Sequence, residues 1–499
     1  MGKHYQAVLP KIRELSLLNA SQALLGWDQE VMMPKAAAAD RGDIMAAQAG
    51  VVHEKMTDPK LGEMLKAAKE ETDLNPYEQA NIRETLRSHE KALKIPQALI
   101  TELTKLTSQA THVWADARGK SDFPLFAPWL EKILKLSKQI AEHVGYAKVP
   151  YDALLDEYDP GATVESVSQV LMPIRDALHD IVAKIAAAPK KPNKSILERH
   201  YDIASQEKVS RELVKLIGFK LDEGRLDIST HPFCSGTGIH DVRLTTRYME
   251  NWLPSATHGA IHEAGHGIYE QGLNHDYAYT PAGDAAWMSV HESQSRFWEN
   301  TICRSHAFWE FYFPKLQTHF PDALMNVGLD DFYGAINFVE PSLIRVEADE
   351  VTYGLHIIIR FEIEKALFDG SIKVTDLPAI WNQKVKDLLG IAVPNDKHGV
   401  LQDVHWSFGG FGYFQTYLMG NLYAAQWNHY MRKDLPVDDH LRKGDCLPIR
   451  TWLNEKIHRE GRCFRARDLV KHVTGEGLNP NYFVTYLKEK FGPIYNVVL

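Results

Sequence analysis

Apolar residues recur at three- and four-residue intervals through most of this chain. That spacing gathers them on one face of an α-helix and restricts the molecule to a mainly α fold. ALITELTKLTSQATHVWADAR (98–118) and WLEKILKLSKQIAEHV (129–144) carry the pattern, with Pro34, Asn75-Pro76, Pro96 and Pro128 read as breaks between helices. The period shortens to two only at 225–250, where RLDISTHPF and IHDVRLTTRYME flank CSGTG. This predicts a β-hairpin with CSGTG as its turn, and hence a small antiparallel sheet. Helical spacing returns in WMSVHESQSRFWENTI, EADEVTYGLHIIIRFEIEKALF and FGYFQTYLMGNLYAAQWNHYM. The loop APKKPNKS (188–195) is the best internal boundary, but helical character resumes directly after it. The chain is therefore read as one unit, 1–499, with a helical part at 1–217 and a part at 218–499 that carries the hairpin.

Charge narrows the function classes. With 56 basic against 65 acidic residues the chain has no basic footprint for nucleic acid. No apolar run reaches the roughly 20 residues that span a bilayer, LHIIIRF being interrupted by charge, and the N-terminus lacks the apolar stretch of a signal peptide. A cytoplasmic protein without membrane or nucleic-acid partners is expected. Cys234, Cys303, Cys446 and Cys463 form no CxxC pair and are read as free thiols.

The residues that carry chemistry stand at 258–266, HGAIHEAGH. Imidazoles four apart on a helix lie about 6 Å from one another and can share one metal ion, whereas His258 and His266 are separated by a rise of about 12 Å and cannot. The choice lies between His258/His262 and His262/His266. Following the first histidine of the second pair is Glu263, whose carboxylate can act as general base on a metal-activated water; following the first of the other pair is Gly259, which can do no chemistry. His262 and His266 are thus the expected ligands and Glu263 the base, with His258 a neighbour in the second layer or at the surface. The helix is expected to start after Pro254 with Ser255 as N-cap, and Gly265 and Gly267 imply that something approaches the helix backbone closely.

A third protein ligand is required. HExxHxxGxxH is excluded because Tyr269 and Gly272 occupy the last two defining positions. A glutamate from a following helix remains, and HESQSR (291–296) offers Glu292. Glu270 meets the reach problem of His258, Asp284 reads as the N-cap of the second helix, and Glu299 is expected to point away from the metal.

HEAGH followed by HESQSR, with HPF (231–233), DVRLT (241–245), IRVEAD (344–349), GVLQDVHW (399–406) and GWDQEVMMP (26–34), resembles the carboxypeptidase Taq family of zinc metallocarboxypeptidases. The resemblance runs over essentially the whole chain. It implies an elongated helical zincin-like molecule with a deep central groove, similar to angiotensin-converting enzyme and neurolysin, with 1–217 forming a groove wall, and a homodimer. It further implies release of single C-terminal residues from peptides, with broad specificity disfavouring proline. His262, His266 and Glu292 would bind one zinc ion, replaceable by cobalt or manganese, and Glu263 would activate water. Arg296 departs from the wider pattern, in which an aspartate four residues after the ligand glutamate orients a ligand histidine, so the acceptor must come from elsewhere.

An oxyanion needs donors beyond the metal, and His405 and Tyr413 in HWSFGGFGY are the candidate pair. A free terminal carboxylate calls for a guanidinium, for which Arg345 comes first and Arg243 second. His231 and His240 are candidate substrate contacts or buried structural histidines, and Trp27 and Asp28 read as architectural. Two other functions compete: an oligoendopeptidase of the same architecture, and a non-catalytic helical scaffold.

Overall fold

The computed structural model describes residues 2–499. Two compact units form, each from three separated stretches. One comprises Met1–Leu93, Asn193–Ile336 and Tyr423–Leu478, the other Lys94–Pro192, Asn337–Leu422 and Asn479–Leu499. One of the five points at which the chain passes between them lies inside APKKPNKS, at Pro192/Asn193. The fold is mainly α, with one small sheet, as the periodicity predicts.

In the second unit the helix Thr352–Asp369 is buried on almost every side, which explains why its sequence has no polar face. Even Arg360, inside the apolar run, is fully buried. Pro128 does not end a helix: Phe123–Val144 runs through it. The proline is the sixth residue of this helix, so it forgoes one backbone hydrogen bond, to the Pro124 carbonyl, without ending the helix.

The first unit holds the sheet: β1 (Gly224–Ile228), β2 (Cys234–Gly238) and β3 (Asp241–Thr246), in the order β1-β3-β2. It is mixed rather than antiparallel throughout, since β1 runs parallel to β3 while β2 runs antiparallel to it. CSGTG is therefore the edge strand β2 and not a turn. A composition poor in side chains reads as a turn, but here it admits close packing. A Cβ on Gly236 would lie 2.7 Å from the Asp241 carbonyl oxygen, and the register slips between Gly236 and Gly238.

Behind the sheet lies the histidine helix, Leu253–Gln271. Trp252 and not Ser255 is its N-cap. Pro254 sits in the first turn, where its missing N–H costs nothing, and Ser255 Oγ donates to the Arg247 carbonyl at 2.9 Å. Gly267 lets this helix meet the sheet, since a Cβ there would come within 2.8 Å of the Leu244 and Phe219 side chains. On another face Gly265 opposes the glutamate helix, Met288–Arg296. A Cβ on Gly265 would lie 2.7 Å from both the Gln294 carbonyl oxygen and Ser295 Cα, backbone atoms that cannot step aside. Gly265→Ala should therefore push the two helices apart and weaken divalent-metal binding about tenfold or more, measured by competition with a chelator.

Candidate metal centre

The close contact at Gly265 brings three donors together. His262 Nε2, His266 Nε2 and a carboxylate oxygen of Glu292 all lie within 4.8 Å of one another. Glu292 Oε2 is 3.4 Å from His266 Nε2 and 3.8 Å from His262 Nε2. In a tetrahedral zinc site with bonds of about 2.0 to 2.1 Å, donor atoms stand about 3.3 Å apart, so the set is near metal-binding geometry. The imidazoles meet edge to face, their centroids 5.0 Å apart.

The supporting contacts are those the sequence left open. His262 Nδ1 lies 2.9 Å from Glu299 Oε2. Glu299 was expected to point away; instead it sits in a π-helical turn, Phe297–Ile302, that continues the glutamate helix and turns its carboxylate back to the histidine. Arg296, the departure noted in the sequence, ties the two acids together. It donates from Nε to Glu292 Oε1 at 2.7 Å and from Nη1 to Glu299 Oε2 at 3.2 Å, while Arg304 holds the other Glu299 oxygen at 3.2 Å. Ser295 Oγ donates to Glu292 Oε2 at 3.1 Å. His266 Nδ1 faces His291 Nδ1 at 2.6 Å, and His291 Nε2 reaches Glu270 Oε1 at 2.8 Å.

Electrostatics favour a cation. Four carboxylates (Glu263, Glu270, Glu292 and Glu299) gather against two guanidiniums (Arg296 and Arg304), an excess of two negative charges when all four acids are ionised and the imidazoles are neutral. Burial pushes His266 down to about 3, so the ring is neutral at pH 7 and keeps one nitrogen lone pair that a metal can use. For Glu292, burial alone would raise the carboxyl, but Arg296 and His262 hold it well below the usual range. His262 moves upward, since Glu292 and Glu299 outweigh its burial. Glu263 is buried and pushed up to about 7 by desolvation, the range that suits a general base. The donors, their spacing and the surplus charge all fit a divalent metal.

The other sequence candidates fall into separate groups. His258 is buried, not superficial, and contacts Thr257 Oγ1 at 3.1 Å. Asp284 is not the N-cap of the glutamate helix, a place held by Trp287; it lies 3.5 Å from Arg462, and desolvation pushes its carboxyl up to about 6. His231 and His240 are exposed rather than buried, and His240 lies 3.6 Å from Glu223. Arg243 pairs through two nitrogens with Asp241, each at 2.8 Å, and lies 4.2 Å from the Trp27 ring centroid, with Arg225 at 4.9 Å. Asp28 bonds Arg41 at 2.5 Å.

In the second unit Arg345 is buried beside Asp403, with Nε and Nη2 each 2.9 Å from Oδ1. Its Nη1 donates to Tyr353 OH at 3.2 Å, and its guanidinium lies 5.0 Å from the Tyr417 ring. Arg360 donates to the other oxygen of Asp403 at 2.7 Å. Two guanidiniums thus share one carboxylate and retain a positive charge. His405 stands 5.5 Å from the Tyr413 ring, but its Nε2 contacts Tyr417 OH, at 3.3 Å; burial pushes the imidazole down to about 4. Sequence reasoning missed Asp403 and Tyr417, although both lie inside stretches it quoted, GVLQDVHW and FGYFQTYLMGNLYAAQWNHYM.

A family model described as the carboxypeptidase Taq (M32) metallopeptidases matches residues 7–491. Thermostable carboxypeptidase 1 of Thermus thermophilus is 42% identical over 98% of this chain and 99% of its own length, and carboxypeptidase 1 of Bacillus subtilis is 40% identical over 97% of each. The crystal structure of the M32 carboxypeptidase from Deinococcus radiodurans superimposes with a TM-score of 0.96 at 36% identity, covering 99% of this chain and 100% of that one. With a match of this extent across motif, sequence and fold, the chain belongs to the carboxypeptidase Taq (M32) metallopeptidases and is a peptide hydrolase of the metallocarboxypeptidase class.

Proposed function

We propose that this chain is a zinc-dependent carboxypeptidase that releases single residues from the free C-terminus of peptides, with broad side-chain tolerance that disfavours proline. The observation that carries the reading is the convergence of His262 Nε2, His266 Nε2 and Glu292 Oε2, with Glu263 next to the first of them. These three residues hold the ion. Zinc bound there would acidify the attacking water and polarise the scissile carbonyl, and cobalt or manganese could substitute. Glu263 takes the proton from that water and delivers it to the departing amine. His405 and Tyr413 carry the oxyanion-donor role in this reading, and Arg345 reads the terminal carboxylate. Arg345 is supported over Arg243 by charge: the Arg345–Arg360–Asp403 group keeps one positive charge, whereas Arg243 is neutralised by Asp241. His231 and His240, both exposed, are assigned to peripheral substrate contact.

The protein is further proposed to act in the cytoplasm as a homodimer, with 1–499 forming one catalytic entity. Among the described residues no helix is long and apolar enough to cross a membrane. The test is mass spectrometry of products from one N-blocked peptide, supplied as free acid and as C-terminal amide, with and without chelator. Stepwise loss of C-terminal residues from the free acid alone, abolished by chelator, is expected. Arg345→Met should erase the preference for the free acid. Equal cleavage of the amide by the wild type would instead assign an oligoendopeptidase.

A further inference from the structure

We infer that His291 and Glu270 are positioning residues that orient His266 for the metal through a chain of two hydrogen bonds. The inference rests on the metal reading above and adds to it the means by which the second histidine is held. Each supporting residue neighbours a ligand in sequence: His291 precedes Glu292, and Glu270 follows His266 by one helical turn. Successive residues on a helix point about 100° apart, so Glu292 can face the metal while His291 faces the far side of the His266 ring.

A metal at His266 Nε2 would set the donors and acceptors of the chain. A neutral imidazole that offers Nε2 to a metal carries its proton on Nδ1. His266 Nδ1–H then donates to His291 Nδ1, 2.6 Å away, which must be a bare lone pair. The proton of a neutral His291 therefore sits on Nε2, where it donates to Glu270 Oε1 at 2.8 Å. Reversing either bond would move the His266 proton to Nε2 and block the metal position. Glu270 thus selects the tautomer of His291, and His291 selects that of His266. The two ligand histidines are held by different means: His262 donates directly to a carboxylate clamped by two arginines, whereas His266 reaches its carboxylate through a second ring. His291 and Glu270 also help wall a cavity of about 290 Å³ lined by β2 and the first helix, Lys3–Val31. Shorter side chains at these positions therefore open onto space that water can fill, and the variants are expected to fold.

The test is zinc affinity and zinc release, measured on the full-length protein with a chromophoric chelator. His291→Leu should weaken binding about 10- to 100-fold and speed release. His291→Gln, whose amide oxygen can accept from His266 Nδ1–H, should recover most of that loss. Glu270→Leu should weaken binding by a smaller factor, and the double variant His291→Leu/Glu270→Leu should be no worse than His291→Leu alone, because Glu270 acts through the ring. Unchanged affinity in His291→Leu overturns the inference, as does equal loss in His291→Leu and His291→Gln, which would mark a packing role. A wild-type protein that binds no zinc, or that binds it equally after His262→Ala and His266→Ala, would instead defeat the metal reading itself.

Discussion

Glu263→Gln is expected to lower kcat by at least 10² to 10⁴ while the protein still binds one zinc ion per chain. Glutamine keeps the size of the side chain but cannot take a proton, so the change would remove the proposed base and little else. Metal binding should survive because the three converging donors belong to His262, His266 and Glu292. Glu263 is buried and its carboxyl is pushed up to about 7 by that burial. A base works only when ionised, so activity should fall on the acid side of its pKa. A bound cation favours the carboxylate and moves that limb below 7. Turnover of a free-acid peptide, metal content by elemental analysis and the pH profile of kcat/KM check the prediction together. Near wild-type turnover in a fully metallated Glu263→Gln protein would remove Glu263 from the chemistry.

What could be read in the sequence, and what could not, follows from how far each contact reaches along the chain. The helices, the period change near 225 and the HEAGH pair are local: a spacing of four on one helix narrows the histidines that can share an ion to two pairs, and Glu263 beside His262 separates them. Glu299 escaped because its partner lies on another helix. Seven residues are two turns, or about 10 Å, beyond Glu292, and distance along one helix argued against it. The contacts between the two helices supply the missing fact. His291 lies beside His266 and Glu270, Gly265 opposes Gln294 and Ser295, and Glu299 meets His262. The glutamate helix therefore runs antiparallel to the histidine helix, and a step forward on one is a step back towards His262 on the other. The π-helical turn then aims the carboxylate. Neither helix direction nor a π-turn leaves a mark in apolar periodicity. CSGTG failed for a different reason: glycine signals a turn and a close-packed edge strand equally, and only the neighbour at Asp241 separates them.

Asp403→Asn is expected to destabilise the protein by about 3 to 5 kcal/mol near neutral pH, because it leaves two guanidiniums without the carboxylate they share. Arg360 is fully buried and Arg345 is 6% exposed, so neither can turn out to water. Asparagine preserves the shape but supplies a neutral oxygen to one arginine and a competing N–H donor to the other. The cost should depend on pH in a defined sense. Burial would raise the Asp403 carboxyl, but Arg345 and Arg360 outweigh it and hold the group well below its ordinary value. A carboxyl depressed by folding contributes stability that is complete above its unfolded pKa of about 3.9 and is lost as the pH falls towards the folded value. The gap between wild type and Asp403→Asn should therefore be full at pH 7 and narrow in strong acid. Denaturant unfolding of both proteins at pH 7 and near pH 3 measures it. A gap that is absent at pH 7, or that stays constant into acid, would mean that the two arginines are stabilised by something other than this carboxylate. On the proposed reading, the surplus of guanidinium charge around Asp403 is what Arg345 would offer a peptide's terminal carboxylate. Asp403→Asn should accordingly disturb substrate binding and fold together, whereas Arg345→Met should affect binding first.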